Sequence, residues 1–331
     1  MRKAFLFTML IFILGGIGAS GFGYYKYRNM VDQWYQPLEI KKYAEIVGTQ
    51  SSNKINEVEI KKEKPLEPFN LLLLGVDSRQ GEQKSRSDTI MLASVNPNTN
   101  KVSLVSIPRD TLAEIPGHGS DKFNHSMFYG GPSLTKETME KFFGIHVDHY
   151  ITVDFEGFTK IVDALGGVEV NVKRRMKYHD PMDGTRIDIQ PGLQVLDGKN
   201  TLDYARFRKS DIGSAASDFD RMQRQQEVLR KVSEKASNLT TYFKLFTMMD
   251  ILREHVKTDL REDEIRKLAI TFRNFQSSNI ASAEIKGINK RMRAHGYNMW
   301  FYVVDDQERE RIKTIVKQTL SGTIQSDQTS S

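Results

Sequence analysis

The segment FNLLLLGV, residues 69–76, is apolar at nearly every position and ends on Gly75 and Val76. A strand with one wet face alternates apolar and polar residues, so a short continuous run reads as a strand covered on both faces, with a short helix as the alternative. Such a strand needs hydrogen-bonding neighbours at both edges and apolar layers above and below it. TIMLASVN (89–96) and KVSLVSI (101–107), joined by the turn sequence NPNTN, supply a hairpin. Downstream, a helix near LTKETMEKFFG, a strand HYITVDF, a helix EGFTKIVDALGG and a strand VEVNV alternate along the chain. The expected fold is α/β: a three-layer sandwich, with a mixed central sheet and helices on both faces. Further helices are expected at 217–238, 241–256 and 261–276, late strands at SAEIKGI and NMWFYVVD, and a last helix at DQERERIKTIVKQTL.

Ahead of this unit, residues 4–25 (AFLFTMLIFILGGIGASGFGYY) carry no charge between Arg2–Lys3 and Lys26. About 20 such residues cross a bilayer as a helix. A cleaved signal peptide is the rival reading, with Gly18-Ala19-Ser20 as the small-residue site. The apolar run outlasts a usual signal core and continues to Tyr24 and Tyr25, which favours an uncleaved anchor. The expected organisation is a cytoplasmic stub 1–3, a transmembrane anchor 4–25, a polar stalk 26–67, a folded domain 68–320 and a disordered tail 321–331. This makes a single-pass protein of the cell membrane with its domain outside. The formal charge of +6 favours anionic partners, and the absence of cysteine excludes disulfides and thiolate chemistry.

The charged residues are not scattered evenly. If 89–96 and 101–107 form a hairpin, Asp88 and Arg109 meet at the edge opposite its turn. If 69–76 pairs antiparallel beside it, Asp77 arrives next to Asp88, with Arg86 and Arg79 nearby. Neighbouring carboxylates raise one pKa or require a cation between them. Mg²⁺, with Mn²⁺ as the alternative, takes one or two carboxylates and completes its shell with water and phosphate oxygens, whereas Ca²⁺ wants more ligands. The plainer alternative is that each aspartate caps a turn or pairs with an arginine.

The stretch ARFRKSDIGSAASDFDRMQRQQ (205–226) raises a second question. Arginine grips phosphate with a rigid two-pronged fork, where a merely solubilising surface more often uses lysine or glutamate. On a helix beginning near Asp218, residues Asp218, Arg221 and Gln225 share a stripe with Leu229, Val232 and Ala236. A face that packs inward at one end is expected to line a cleft at the other. Arg206 and Arg208 point to one side if extended, and Arg224 and Arg230 read as solvated. His118, His125, His146, His149 and His179 show no zinc-protease spacing, and LGGV at 165–168 reads as a helix cap.

LLLLGVDSR, RSDTIMLASVNP, VSLVSIPRDT, FEGFTKIVDALGGVEVNV, GLQVLDGKNTLDYARFR and DFDRMQRQQ, in this order, resemble the LytR-CpsA-Psr family of extracytoplasmic cell-wall glycopolymer ligases. That resemblance implies a phosphotransferase moving an anionic glycan, such as teichoic acid, from a polyprenyl-pyrophosphate carrier to peptidoglycan. It also implies metal ligation by Asp77 and Asp88, and pyrophosphate binding by Arg86, Arg109, Arg206, Arg208, Arg221 and Gln225. Asp218 and Lys122 would support them, and Asp88 and Arg109 would be catalytic. Expected partners are the lipid-linked donor, the peptidoglycan acceptor and membrane lipid, with no nucleic acid. The usual KIN-A segment reads DKFNHS here, and the loop from Arg208 to Asp218 is longer than the usual form. A pyrophosphatase using water as acceptor, a membrane-bound transcription regulator and a non-catalytic scaffold are the competing readings.

Overall fold

The computed structural model describes residues 35–36, 65–77, 86–181, 184–208, 210–213, 217–237, 251, 253–272 and 276–323. The expected anchor 4–25, most of the stalk, Arg79, residues 241–250 of an expected helix and the tail beyond 323 lie outside them. Among the described residues no helix is long and apolar enough to cross a membrane.

The apolar run forms β1 (Phe69–Val76), flanked by β2 (Ser87–Asn96) on one side and β6 (His149–Asp154) on the other. With β3 (Lys101–Ser106), β11 (Val256–Thr258) and β12 (Ile280–Glu284) the sheet runs β11-β6-β1-β2-β3-β12. β1 pairs antiparallel with β2 and parallel with β6, so the sheet is mixed.

Side chains alternate across β1, and each set has its own apolar layer. Leu72, Leu74 and Val76 join Ile90, Leu92 and Val105 against Met139 and Phe143 of α1 (His125–Phe143) and Ile312 and Val316 of α6 (Asp306–Ser321). Leu71 and Leu73 join Met91, Ala93 and Leu104 against Leu229 of α4 (Asp218–Ser237) and Ile265 and Leu268 of α5 (Glu262–Thr271). Helices therefore cover both faces. Leu72 and Leu92 are fully buried, and each such leucine contributes roughly 1.5–3 kcal/mol. A satellite core joins α2 (Phe155–Ala164), β7 (Val168–Val172), β10 (Gly192–Leu196), α3 (Gly198–Arg206) and Val228 of α4.

Several elements depart from the sequence reading. Val256, the last residue of the helix expected at 241–256, instead opens β11 at the sheet edge. The helix expected at 261–276 stops at Thr271. Short two-stranded ribbons at β4 (Leu112–Ile115) with β5 (Gly119–Lys122), and at β8 (Met176–His179) with β9 (Arg186–Ile189), went unread, as did β13 (Ile288–Ala294) beside β14 (Tyr297–Val303). Two residues of the expected stalk touch the domain: Tyr35 bridges Thr258, and the Gln36 carbonyl accepts a hydrogen bond from Tyr150 Oη at 2.8 Å.

The last helix is fixed at its start by charge. Asp305 Oδ1 accepts the Glu308 N–H at 2.8 Å, and Glu308 is gripped by both prongs of Arg311 while accepting the Lys286 N–H at 2.8 Å. Burial would raise the Glu308 pKa, but the Arg311 and Lys286 hydrogen bonds outweigh it and hold the carboxyl below the usual glutamate range. A depressed folded pKa stabilises above the unfolded value and is lost as pH falls through the folded one. Glu308→Gln is accordingly expected to cost roughly 1–2 kcal/mol at pH 7 in urea unfolding, with the gap from the native chain narrowing as pH falls below the usual glutamate range. A gap that stays constant with pH would exclude the ionic origin.

Candidate active site

Three elements bring charge to one rim of the sheet. β1 and β2 pair in register up to Gly75–Thr89, then Val76 pairs with Ser87, which leaves Asp88 as an extra residue in a bulge. Bulges bend a strand and re-aim a side chain, and they recur beside active sites. A side-chain carbon added at Gly75 would stand 3.0 Å from Thr89 Cβ, so glycine there lets the strands close on the bulge.

The re-aimed Asp88 faces two arginines. Arg109 Nη1 donates to its Oδ1 at 2.7 Å, and Arg206 Nη2 lies 3.7 Å from its Oδ2. Arg109 follows β3, delivered by the hairpin as the sequence leads one to expect. Arg206 is the last residue of α3, nearly a hundred positions later, and its guanidinium lies 4.2 Å from the centre of the Phe155 ring. That aromatic platform holds a planar cation without neutralising it.

Asp77 lies one residue past β1, and its N–H reaches the Arg86 carbonyl at 3.4 Å, placing it on the strand end beside Asp88. Arg86 itself lies 5.4 Å from the Phe128 ring centre. Lys122 Nζ bonds Asp110 Oδ1 at 2.6 Å, and Asp110 Oδ2 is 3.7 Å from Arg109 Nε. Lys122 therefore acts on Arg109 through Asp110, a partner that was readable in the adjacent Arg-Asp pair of SIPRD. Arg208 is exposed, beyond buried Phe207.

Along the expected stripe of α4, Arg221 is more deeply buried than the apolar residues that continue it. Arg221 is 7% exposed, Gln225, Leu229 and Val232 are half-buried, and Ala236 is exposed. Gln225 Nε2 lies 3.5 Å from the Ala205 carbonyl, so it meets the end of α3 and not the rim itself. Asp218 is the first residue of α4. The expectation that Arg224 is solvated is wrong: it is 9% exposed, donating through Nε to the Tyr204 carbonyl at 2.7 Å and through Nη2 to the Phe207 carbonyl. Those carbonyls end α3, where backbone acceptors have no helical partners. Burial pushes the Arg224 pKa down, yet the group remains the cation that fixes Arg206's helix end. Arg230 is likewise not simply solvated, since it donates to Ser282 Oγ at 2.5 Å.

Beside this rim, beyond the ends of β1 and β6, opens a cavity of about 420 Å³. Val76, Met127, Phe128, Pro132 and Tyr150 give it an apolar wall, and Asp154, Glu254, His255 and Lys257 a polar one. It is a mixed pocket, apolar on one wall and polar on the other.

The LytR_cpsA_psr family model matches residues 36–318. The chain belongs to this family. A relative, the polyisoprenyl-teichoic acid–peptidoglycan teichoic acid transferase TagU of Oceanobacillus iheyensis, is 34% identical over 315 residues, covering 93% of this chain and 90% of its own. Among solved structures, Bacillus subtilis TagV superposes with a TM-score of 0.66 at 27% identity, over 77% of this chain and 98% of its own. TagT bound to LIIa-WTA superposes with a TM-score of 0.62 at 30% identity, over 83% and 97%. Those LytR_cpsA_psr structures share the mixed sheet and its helices, as the fold expectation required.

Proposed function

We propose that the chain is a membrane-anchored phosphotransferase that moves an anionic glycan of the teichoic acid class from a polyprenyl-pyrophosphate carrier to peptidoglycan. The convergence of Asp88, Arg109 and Arg206 beside a cavity with one apolar wall carries this reading, with the names of the relatives as support. The anchor is residues 4–25, and the domain lies outside the cell.

In this reading Arg109, Arg206, Arg86 and Arg208 hold the diphosphate, which enters as a competitor for the guanidinium faces now turned to Asp88. Catalysis of such transfers is largely positioning and charge stabilisation, and guanidiniums placed beforehand need no reorganisation. Arg224, Arg221 and Gln225 steady the helix ends from below. The acceptor hydroxyl oxygen attacks the phosphorus that bears the glycan, and its proton passes to an Asp88 oxygen. The bond from that phosphorus to the bridging oxygen breaks, and polyprenyl phosphate leaves with the electron pair. Arg109 stays beside the reacting group as counter-charge.

A hard divalent ion, Mg²⁺ or Mn²⁺, fits the residues present. Asp77 and Asp88 stand on adjacent strand ends, and the buried Ser87 hydroxyl between Arg86 and Asp88 has no hydrogen-bond partner among the described residues. The donors are all oxygen, as such ions prefer. When bound, the ion would draw charge from the phosphate oxygens.

The test is a reaction of the purified chain with a polyprenyl-pyrophosphate-linked glycan and peptidoglycan fragments. Mass spectrometry is expected to show a glycan–peptidoglycan phosphodiester formed in step with polyprenyl phosphate. Release of glycan phosphate to water, unchanged by added acceptor, would make the protein a hydrolase. Donor left intact under all conditions would overturn both.

A further inference from the structure

Outside the arginine rim, two histidines, His125 four residues further on and His295 from a distant part of the chain, meet on one carboxylate oxygen of Asp121. Asp121 Oδ2 lies 2.8 Å from His125 Nδ1 and 3.0 Å from His295 Nε2, and the three ligand atoms lie within 4.8 Å of one another. We propose that Asp121, His125 and His295 form a binding site for a divalent transition-metal ion of the zinc class, separate from the acidic pair at Asp77 and Asp88.

The donors select the ion. Two imidazoles and one carboxylate are the mixed nitrogen–oxygen set that suits zinc, cobalt or nickel, whereas magnesium prefers oxygen alone. Around such an ion, bonds of about 2.0–2.1 Å place neighbouring ligand atoms roughly 3.3 Å apart, so the two contacts of Asp121 Oδ2 need to widen by only a few tenths of an ångström.

The carboxylate is also held as a ligand should be. Asp121 is 1% exposed, its Oδ1 accepts the Lys122 N–H at 2.8 Å, and Tyr129 Oη donates to Oδ2 at 2.7 Å. One oxygen is thus anchored and the other turned to the rings, and outer partners of this kind orient a metal's ligands. His125 is nearly enclosed, and the His295 side chain is 54% exposed. Solvent therefore reaches the cluster from one side, where a water can complete the coordination.

The backbone at His295 supports the same conclusion. His295 and Gly296 form the two-residue turn between β13 and β14, both with positive φ (51° and 83°). Asn-Gly or Gly-Gly is the common choice for such a turn. A histidine in the left-handed region is tolerated but strained, and here it carries the ring that meets Asp121. An ion at this point would tie the β13–β14 hairpin to the β5–α1 corner. That corner carries Lys122, which acts on Arg109 through Asp110, and Phe128, which underlies Arg86.

The experiment uses the full chain, purified in detergent without a polyhistidine tag and stripped with chelator, titrated with Co²⁺ and then with Zn²⁺. One equivalent of Co²⁺ is expected to give the visible absorption of a tetrahedral site, displaced by Zn²⁺, with a rise in melting temperature of about 5 °C. His295→Ala, at an exposed turn, is expected to weaken Co²⁺ binding by about 100-fold or more, and His125→Ala likewise, while Asp77→Asn/Asp88→Asn leaves it unchanged. No stoichiometric Co²⁺ binding would overturn the site. So would binding that survives His295→Ala or is lost in the Asp77/Asp88 variant.

Discussion

Asp88→Ala is expected to lower glycan transfer by about a thousandfold while shifting the melting temperature by only a few degrees, because in the proposed reaction one residue both faces two arginines and takes a proton. Removing a positioned acid–base group costs about 10²–10⁴ in rate, and removing a preorganised electrostatic partner costs a similar factor. The ion pair with Arg109 is only part-buried, at 28% and 26% side-chain exposure. Pairs this exposed contribute roughly 1 kcal/mol or less to stability. Arg109 keeps its second acidic neighbour, Asp110, when Asp88 is gone. Activity and stability therefore separate in this variant. Transfer measured with a polyprenyl-pyrophosphate donor, alongside a thermal melt, checks both halves. Asp88→Asn distinguishes the two roles: it retains a hydrogen-bond acceptor for Arg109 but no longer takes a proton, so a rate near wild type would remove Asp88 from proton transfer. Activity within tenfold of wild type for Asp88→Ala would remove it from the site altogether.

Arg224→Ala is expected to cost about 3–5 kcal/mol of stability, the reverse signature. The guanidinium satisfies the carbonyls of Tyr204 and Phe207 in a buried setting. Each acceptor left dry and unpaired costs roughly 1–3 kcal/mol, and the lost side chain leaves a void on the satellite core. Lysine keeps the charge but lacks the fork that reaches two carbonyls at once, so Arg224→Lys is expected to recover less than half of the loss. Because those carbonyls end the helix whose last residue is Arg206, transfer should fall as well, even in molecules that remain folded. Urea unfolding at neutral pH measures the first effect. A loss below about 1 kcal/mol would show that the α3 end is held by other means.

The two cases mark what the sequence reveals. Asp88 and Arg109 are neighbours because a hairpin of known register must bring them together, and that register follows from a local apolar pattern and a turn. Arg206 and Arg208 are legible as residues on one side of a short segment, though nothing local says that Phe155 lies under the first. Arg224 misleads because helical spacing fixes angles around an axis but not what packs on each side. α4 is covered both by β3, where Gln226 reaches Ser106 Oγ at 2.9 Å, and by the end of α3, so more than one stripe is interior. β11 was hidden for a related reason: three residues are too few to set a period. The meeting of His125 with His295 depends on a hairpin whose exposed strands lack alternation, although His-Gly between them was a readable turn signal. Glycopolymer transfer itself was legible only because six short motifs stand in one order.

The bridge from Tyr35 and Gln36 to the far sheet edge limits where this enzyme can work. Gln36 lines the cavity as well as joining β11. If residues 4–25 sit in a bilayer, the nine residues 26–34 form a leash of roughly 30 Å at full stretch. The cavity mouth can then rise no farther than that above the lipid surface, a height set by the tether and not by diffusion. In that anchored reading, a carrier whose tail remains dissolved in the membrane would need to lift only its headgroup to be caught, within the height that nine residues can span.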